Sequence, residues 1–359
     1  MIFSIIIFIF TLLFLVVIHE FGHFIMAKKF GIKVLEFGFG IPPRIFGKKI
    51  GETIYSINAL PLGGFVRLLG EDEDGKAKSD RDFRAKPPFQ RILVVVAGVT
   101  MNLLLAWVIF YSVIIYQNFQ IIYPTIKPAA YIGFLEKDFP AEKSGIKIGE
   151  QITQVDGKGV SNYTDARNFI KASNGKEVSL VLADIDGKNL RELKITPQKK
   201  DKDYLIGVGF TPFAIKQYIT PNEKIFSGLS YSWDFARFTL SGFGGTISDL
   251  FSGNYSTVSK SVAGPVGLAQ MSNGILSEGP KAAPTYLWFV GVISLTLAIF
   301  NVLPIPALDG GRLLFLVIEA IFRKRVREDI EKMVHQVGFA ILLSAAVLVT
   351  YSDISKLMH

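Results

Sequence analysis

"VVIHEFGHF", residues 16–24, closes a stretch that runs from Ile2 to Ile18 without a charged residue. An ionisable side chain at membrane depth is costly and is by default a functional feature. The first question is therefore what partner makes two histidines and a glutamate tolerable there. On a helix, positions i and i+4 share a face, so His19 and His23 can aim both rings at one point. Each can then set a nitrogen about 2.0–2.1 Å from one zinc ion. Glu20, beside the first ring, is spaced to act on a water at that ion as general base without being a ligand. Neutral imidazoles cost less to bury than charged groups, and the cation supplies their partner.

The chain has 359 residues, half of them hydrophobic, with a mean hydropathy of +0.37. That balance points to several membrane spans. With no cysteine, disulfides and thiolate metal sites are excluded, so a metal must be held by His, Asp or Glu. The net charge is +8. No nucleic-acid motif accompanies it, and no nucleic-acid partner is expected. Four stretches can span about 30 Å of hydrocarbon: Ile2 to about Met26, Ile92 to Tyr116, about Tyr286 to Leu303, and Val337 to Tyr351 extended by Met333 and Val334. The first lacks a basic n-region and leads into His19-Glu20, so it reads as a retained span and not a cleaved signal. Residues 28–91 carry thirteen Lys/Arg and residues 312–332 carry six. The positive-inside rule puts both segments in the cytoplasm, with both termini and the long segment near 117–284 outside.

The fold expected is a polytopic α-helical membrane protein with four transmembrane helices, a membrane-associated β-hairpin or sheet element and an inserted extracytoplasmic β-rich domain. Residues 1–27 form the first span and 28–91 a cytoplasmic-side loop, whose Gly- and Pro-punctuated strands can re-enter the membrane. Glu71 to Lys86 reads as a solvated loop. Residues 92–116 are the second span and 117–126 a linker. Residues 127–200 form a β-rich module with one helix capped by Asn162 or Thr164 and a hairpin turn at Asp186-Gly187. The stretch "AYIGFLEKDFPAEKSGIKIGEQITQVDGKGV" resembles a PDZ domain. That resemblance implies capture of a peptide or its C-terminus by strand addition, with Tyr131, Ile132, Gly133 and Phe134 as the binding loop. Residues 201–283 read as a partly amphipathic helical region on the outer face. Residues 284–311 are a broken third span, 312–332 a basic loop, 333–352 the fourth span and 353–359 a tail.

A catalytic zinc site needs a third protein ligand. His359 is terminal, and His335, at the start of the fourth span, reads as an interfacial histidine. The better candidate is Asp309 in "IFNVLPIPALDGGRLL", residues 299–314. Pro304 and Pro306 interrupt the helix, Gly310 and Gly311 allow close approach, and the topology puts Asp309 on the same side as His19 and His23. The alternative is an Asp that caps the helix beginning at Gly310, with Arg312 as counter-charge.

"HEFGH" in the first span and "NVLPIPALDGG" in a later one resemble the site-two protease family of intramembrane zinc metalloproteases. The resemblance is closest to the bacterial branch that cleaves membrane-spanning anti-sigma factors. It extends through "ALPLGGFVRLLGE", "GVTMN", the PDZ-like stretch and "AGPVGLAQ". It implies one zinc ion on His19, His23 and Asp309, and Glu20 as general base. Asn301 would engage substrate. Gly63, Gly64 and Phe65 would lie in a re-entrant β element that pairs with an unwound substrate strand. It further implies a bacterial inner-membrane location, the lipid bilayer as surroundings, and single-pass membrane proteins such as anti-sigma factors or signal-peptide remnants as substrates. Gly98 and Asn102 match a G-x-x-x-N pattern read as helix packing. Several relatives carry two PDZ modules; one is legible here. Two rival classes are a metal-binding membrane scaffold, which has no use for Glu20, and a metal transporter, for which broken helices in symmetric repeats are expected; only one break is present.

Overall fold

The computed structural model describes residues 2–71, 77, 79–124, 129–185, 187–200, 203–211 and 214–358. The chain divides into two compact units: Met1–Phe110 with Thr239–His359, and Tyr111–Phe238. In chain order the first elements are α1 (Ile2–Lys29), β1 (Val34–Ile50), β2 (Thr53–Leu68) and α2 (Pro88–Tyr116). Then come β3 (Gln120–Tyr123), β4 (Ala130–Leu135), α3 (Pro140–Lys143), β5 (Gln151–Val155), β6 (Lys158–Gly159), α4 (Tyr163–Ala172), β7 (Val178–Ala183) and β8 (Arg191–Ile195). Four short strands follow: β9 (Gln198–Lys200), β10 (Asp203–Leu205), β11 (Val208–Thr211) and β12 (Ala214–Gln217). The rest is helical: α5 (Pro221–Ile225), α6 (Ser227–Phe251), α7 (Tyr255–Ser261), α8 (Pro265–Ser277), α9 (Ala283–Val302), α10 (Asp309–Phe322) and α11 (Glu328–Met358).

Among the described residues, four helical stretches are long and apolar enough to cross a bilayer: Phe3–Lys29, Pro88–Tyr116, Gly279–Val302 and Asp329–Lys356. A helix satisfies its own backbone, which is what lets a chain this apolar remain in lipid. Polar side chains tie the helices together at depth. Ser294 donates to the Asn102 carbonyl at 2.9 Å, and the Thr11 and Tyr286 hydroxyls meet at 2.9 Å. Around them Phe8, Leu15, Phe289, Val290 and Ile293 form one apolar cluster. A second joins α1 and α2 to the β element through Ala27, Val34, Leu68, Val94 and Leu316.

The β element is a folded ribbon, a small sheet made from two long strands. Residues 36–39 of β1 pair on one side with residues 54–57 of β2 and on the other with residues 64–67, while residues 44–50 return along 53–58. Residues 64–68 therefore form an outer segment. Glu36, buried in this sheet, is matched by Arg44 at 2.6 Å and Arg67 at 3.0 Å, which supplies the pairing a buried carboxylate needs. Glu52 at the ribbon's turn accepts from Lys28 at 2.8 Å and Arg81 at 2.6 Å. These two cations hold its carboxyl down at about 2.

Several expectations are corrected. The segment read as a solvated loop (71–86; residues 72–76 and 78 lie outside the described ones) contains a 3-10 turn, Phe83–Ala85, with Asp82, Phe83 and Arg84 buried. Its charges are folded in because Arg84 pairs with Asp82 at 3.3 Å. The basic loop expected at 312–332 is largely α10, whose apolar face (Leu313, Leu316) packs on the second cluster. The region 201–283, expected to be helical, opens with β10, β11 and β12. β12 pairs with β3, inside the expected linker. These strands are too short to show a period, and their partners are distant in sequence.

The second unit is built on a sheet of order β11-β4-β5-β7-β8, with β6 beside β5. Its core holds Ile132, Ile152, Leu180, Leu182 and Ile206, with α4 contributing Ala166 and Ile170. Asn162 caps α4 by accepting from Thr164 N at 2.8 Å and Asp165 N at 3.1 Å. Of the expected turn Asp186-Gly187, Asp186 lies outside the described residues; β7 and β8 pair antiparallel across it. The proposed peptide-binding loop 131–134 is instead the interior of β4. Phe134, Ile132 and Tyr131 pair with Gly209, Phe210 and Thr211 of β11, and Tyr131 pairs with Gln151 of β5. Ile132 also bonds on the β5 side, through its N–H to Glu150 O and its carbonyl to the Gly149 N–H, so Tyr131 and Ile132 are paired on both sides and Phe134 on the β11 side.

"AGPVGLAQ" proves to be the start of α8. Asp353, nearly at the end of α11, accepts from the Gly264 N–H at 2.9 Å and the Gly267 N–H at 2.8 Å. A carboxylate from another helix thus caps α8, whose own N-cap Gly264 has no side chain to do so. Asp353→Ala is expected to destabilise the protein by about 2–3 kcal/mol, the loss of charge-assisted bonds at a buried site, with Asp353→Asn in between; denaturant unfolding in detergent measures both. The Glu52 tie gives a pH signature. Its folded-state value lies below the ordinary 4.5, so its contribution is whole above that pH and is lost as pH falls towards 2. The stability difference between wild type and Glu52→Gln, under about 1 kcal/mol for an exposed pair, should shrink over that window.

Candidate metal centre

Three elements meet at one point. α1 brings His19, Glu20 and His23; the first residue of α10 brings Asp309; α2 runs behind the rings. His19 Nε2 stands 2.8 Å from Asp309 Oδ2, His23 Nε2 stands 3.2 Å from the same oxygen, and the two Nε2 atoms are 3.1 Å apart. The side chains are 9%, 12% and 19% exposed in the order His19, His23, Asp309, so little water screens them. His19, His23 and Asp309 form the candidate metal-holding group found among the described residues.

The chemistry of this donor set fits zinc. His23 Nδ1 lies 2.9 Å from the Val94 carbonyl, which can only accept, so the proton sits on Nδ1. The Nε2 of a neutral His23 then turns a lone pair toward a carboxylate oxygen and another imidazole nitrogen. Three electron-rich atoms in a dry site demand a positive charge between them. Four-coordinate zinc takes just such nitrogen and oxygen donors. The Val94 carbonyl is the outer partner that fixes a ligating imidazole's tautomer and ring orientation.

The close approach of α1 and α2 depends on two missing side chains. A Cβ on Gly22 would lie 2.3 Å from the Ala97 carbonyl oxygen, and one on Gly98 would lie 2.4 Å from His23 Nε2 and 2.9 Å from His19 Cε1. The helix-packing reading of Gly98 stands, since a Cβ on Gly22 would lie 2.9 Å from Gly98 Cα, and the same position also lies against both imidazoles, a role for which the sequence carries no signal. Asn102, a further turn on, is 1% exposed, and its side-chain amide has no hydrogen-bond partner among the described residues.

Asp309 owes its place to the break between α9 and α10. Pro304 and Pro306 have no N–H, and Ala307 takes a φ of 73°, a left-handed conformation that costs a residue with a Cβ about 1–2 kcal/mol. A Cβ on Gly310 would lie 1.8 Å from the Leu303 carbonyl oxygen, so the turn closes only over glycine. The reading of Asp309 as a cap with Arg312 as counter-charge is not what is seen. The N-cap of α10 is Leu308, and Arg312 donates to Glu71 at 2.5 Å.

A cavity of about 280 Å³ opens beside the cluster, lined by Glu20, His23, Phe65, Arg67, Glu71 and Asp309 among others. Glu20 thus shares a space with the candidate ligands. The outer segment of β2 forms one wall: a Cβ on Gly64 would stand 3.7 Å from Glu20 Cγ and 3.6 Å from Val17 Cγ2. Gly63 sits one residue out with φ 113°. Asn301 lies in the last turn of α9, partly buried, and lines neither this cavity nor a larger one of about 700 Å³ that also touches Asp309. His335, read as interfacial, lines that larger cavity and accepts the Ala307 N–H at 2.9 Å. His359 lies outside the described residues.

Two imidazoles, a carboxylate and a neighbouring glutamate at a cavity between apolar helices define a membrane metallohydrolase. The chain belongs to peptidase family M50, whose model matches residues 7–345; it is a zinc metalloendopeptidase of the site-two type. It is 31% identical to the zinc metalloprotease RasP of Geobacillus kaustophilus and 29% identical to the regulator of sigma-W protease RasP of Bacillus subtilis. The alignments cover 95% of both chains for the first and 96% of both for the second. A Clostridium perfringens protein provisionally named a zinc metalloprotease is 33% identical, over 95% of each chain. Among solved structures, the PDZ domain of an SdrC-like protein from Listeria monocytogenes is 20% identical and covers 24% of this chain and 93% of its own, at a TM-score of 0.22.

Gly98→Ala should push the imidazoles off their common point. An overpacked buried site loses about 1–3 kcal/mol, or about 5- to 150-fold in metal affinity. Zinc titration of the purified variant against wild type reads this directly.

Proposed function

We propose that the protein hydrolyses a peptide bond within or near the transmembrane segment of single-pass membrane proteins, using one zinc ion held by His19, His23 and Asp309. The observation that carries this reading is the convergence of those three side chains at 2.8–3.2 Å, with Glu20 on the adjoining cavity. When bound, zinc makes water acidic enough to attack near neutral pH and polarises the scissile carbonyl. Glu20 takes the proton from the attacking water as the new C–O bond forms. As the C–N bond breaks, Glu20 returns that proton to the leaving amine. Asp309 neutralises the site's charge, and the Val94 carbonyl keeps the His23 ring in register.

A substrate helix hides its carbonyls in intrahelical bonds and must unwind before attack. Gly64 and Phe65, on the outer segment of β2 beside Glu20, are suited to re-satisfy the unwound backbone by strand pairing. Asn301, at the mouth of the break, is assigned to hold the substrate's backbone. The basic segments 28–91 and 312–332 support a reading with the site toward the cytoplasm and residues 117–284 and both termini outside. The name of the Bacillus subtilis relative supports a membrane-spanning regulator of a sigma factor as substrate; signal-peptide remnants share the same chemistry. The second unit is read as a PDZ-like module that takes a peptide C-terminus along β11, which ends the strand order. The setting is a bacterial inner membrane.

Glu20→Gln should keep zinc and lose turnover by about 10²- to 10⁴-fold, the usual worth of a general base. Asp309→Asn and His23→Ala should lose zinc itself. Metal analysis beside cleavage of a membrane-spanning substrate in detergent separates the two; undiminished turnover in Glu20→Gln would contradict its assignment.

A further inference from the structure

We infer that His335 is a positioning residue for the metal site: it holds the chain break that aims Asp309. The inference rests on the zinc reading above. Between α9 and α10 the N–H groups of Leu303, Ile305 and Leu308 donate to carbonyls a few residues earlier in the chain: Ile299 O, Leu303 O and Ile305 O. The Ala307 N–H goes instead to another helix, to His335 Nδ1 on α11 at 2.9 Å. Ala307 is also the residue in left-handed conformation, at φ 73°. The strained peptide two residues before Asp309 is therefore fastened by a side chain from outside the segment.

Two contacts make α11 a template for the break. A Cβ on Gly338, one turn after His335, would lie 2.2 Å from Pro306 Cβ, and one on Gly311 would lie 3.1 Å from His335 Cε1. Glycine on both sides lets the imidazole and the proline turn interlock. A small rotation at Ala307 swings everything beyond it, and a metal ligand tolerates only about 0.2 Å of error. Residues that orient a ligand from outside the coordination shell are worth about 10- to 100-fold in metal affinity.

The role requires an acceptor at the Nδ1 position and nothing more of the ring. His335→Asn sets an amide oxygen near that position; His335→Gln sets its oxygen near the Nε2 position instead; His335→Leu has none. In the purified full-length protein, zinc affinity is measured by competition with a chelator, with metal-free thermal unfolding as the folding control. Expected are a 10- to 100-fold loss of affinity in His335→Leu and His335→Gln, retention within about threefold in His335→Asn, and little change in metal-free unfolding. Wild-type affinity in folded His335→Leu overturns the inference, as does an Asn variant no better than Leu. If His335→Leu does not fold, the Asn–Gln comparison decides alone, and equal affinity in those two overturns it. Asp309→Asn run in parallel keeps the failures apart. Zinc retained there refutes the ligand assignment itself. Zinc lost there but kept in His335→Leu and His335→Gln refutes only the role of His335.

Discussion

Three electron-rich atoms share one point inside a shell of apolar helices, and most of the first unit's peculiarities follow from that. His19 and His23 come from the opening helix and Asp309 from 290 positions later, yet their donor atoms lie 2.8–3.2 Å apart. In a dry interior such a cluster is stable only with a positive charge at its centre. Bringing it together requires helices closer than side chains normally allow. Gly22 and Gly98 admit the approach of α1 and α2, and Gly310 admits the closure of the break. The glycines and the ligands form a single constraint.

The break is the costlier half of that arrangement. Two prolines remove donors, Ala307 is strained, and the chain must still present Asp309 with sub-ångström accuracy. An α-helix could not do this, because it would carry the carboxylate along its axis and not across to α1. Irregular backbone at membrane depth is tolerated where protein buries it or where it lines a cavity. Both conditions hold, with α11 packed against the break and two cavities lined in part by Asp309.

The β ribbon completes the enclosure. Its outer segment lies along α1 at the level of Glu20, and its buried Glu36 is neutralised by two arginines. That outer segment is a sheet edge beside the Glu20 cavity, and such an edge offers peptide partners where lipid offers none.

The apolar runs, the His-Glu-x-x-His spacing and the Pro-x-Pro-x-x-Asp-Gly-Gly stretch determined by themselves that the chain enters a membrane, that α1 presents two rings on one face, and that a carboxylate follows a helix break. These are local facts, set by hydropathy, by the 3.6-residue period and by proline's missing donor. Only the tertiary structure decided that Gly98 stands against the rings and not merely between helices, and that His335 reaches Ala307. It likewise decided that Asp353 caps α8, and that residues 131–134 lie in a strand paired with β11. Each of those depends on a partner far away in the chain, and a glycine or a single polar side chain carries no periodic signal of which distant surface it will meet.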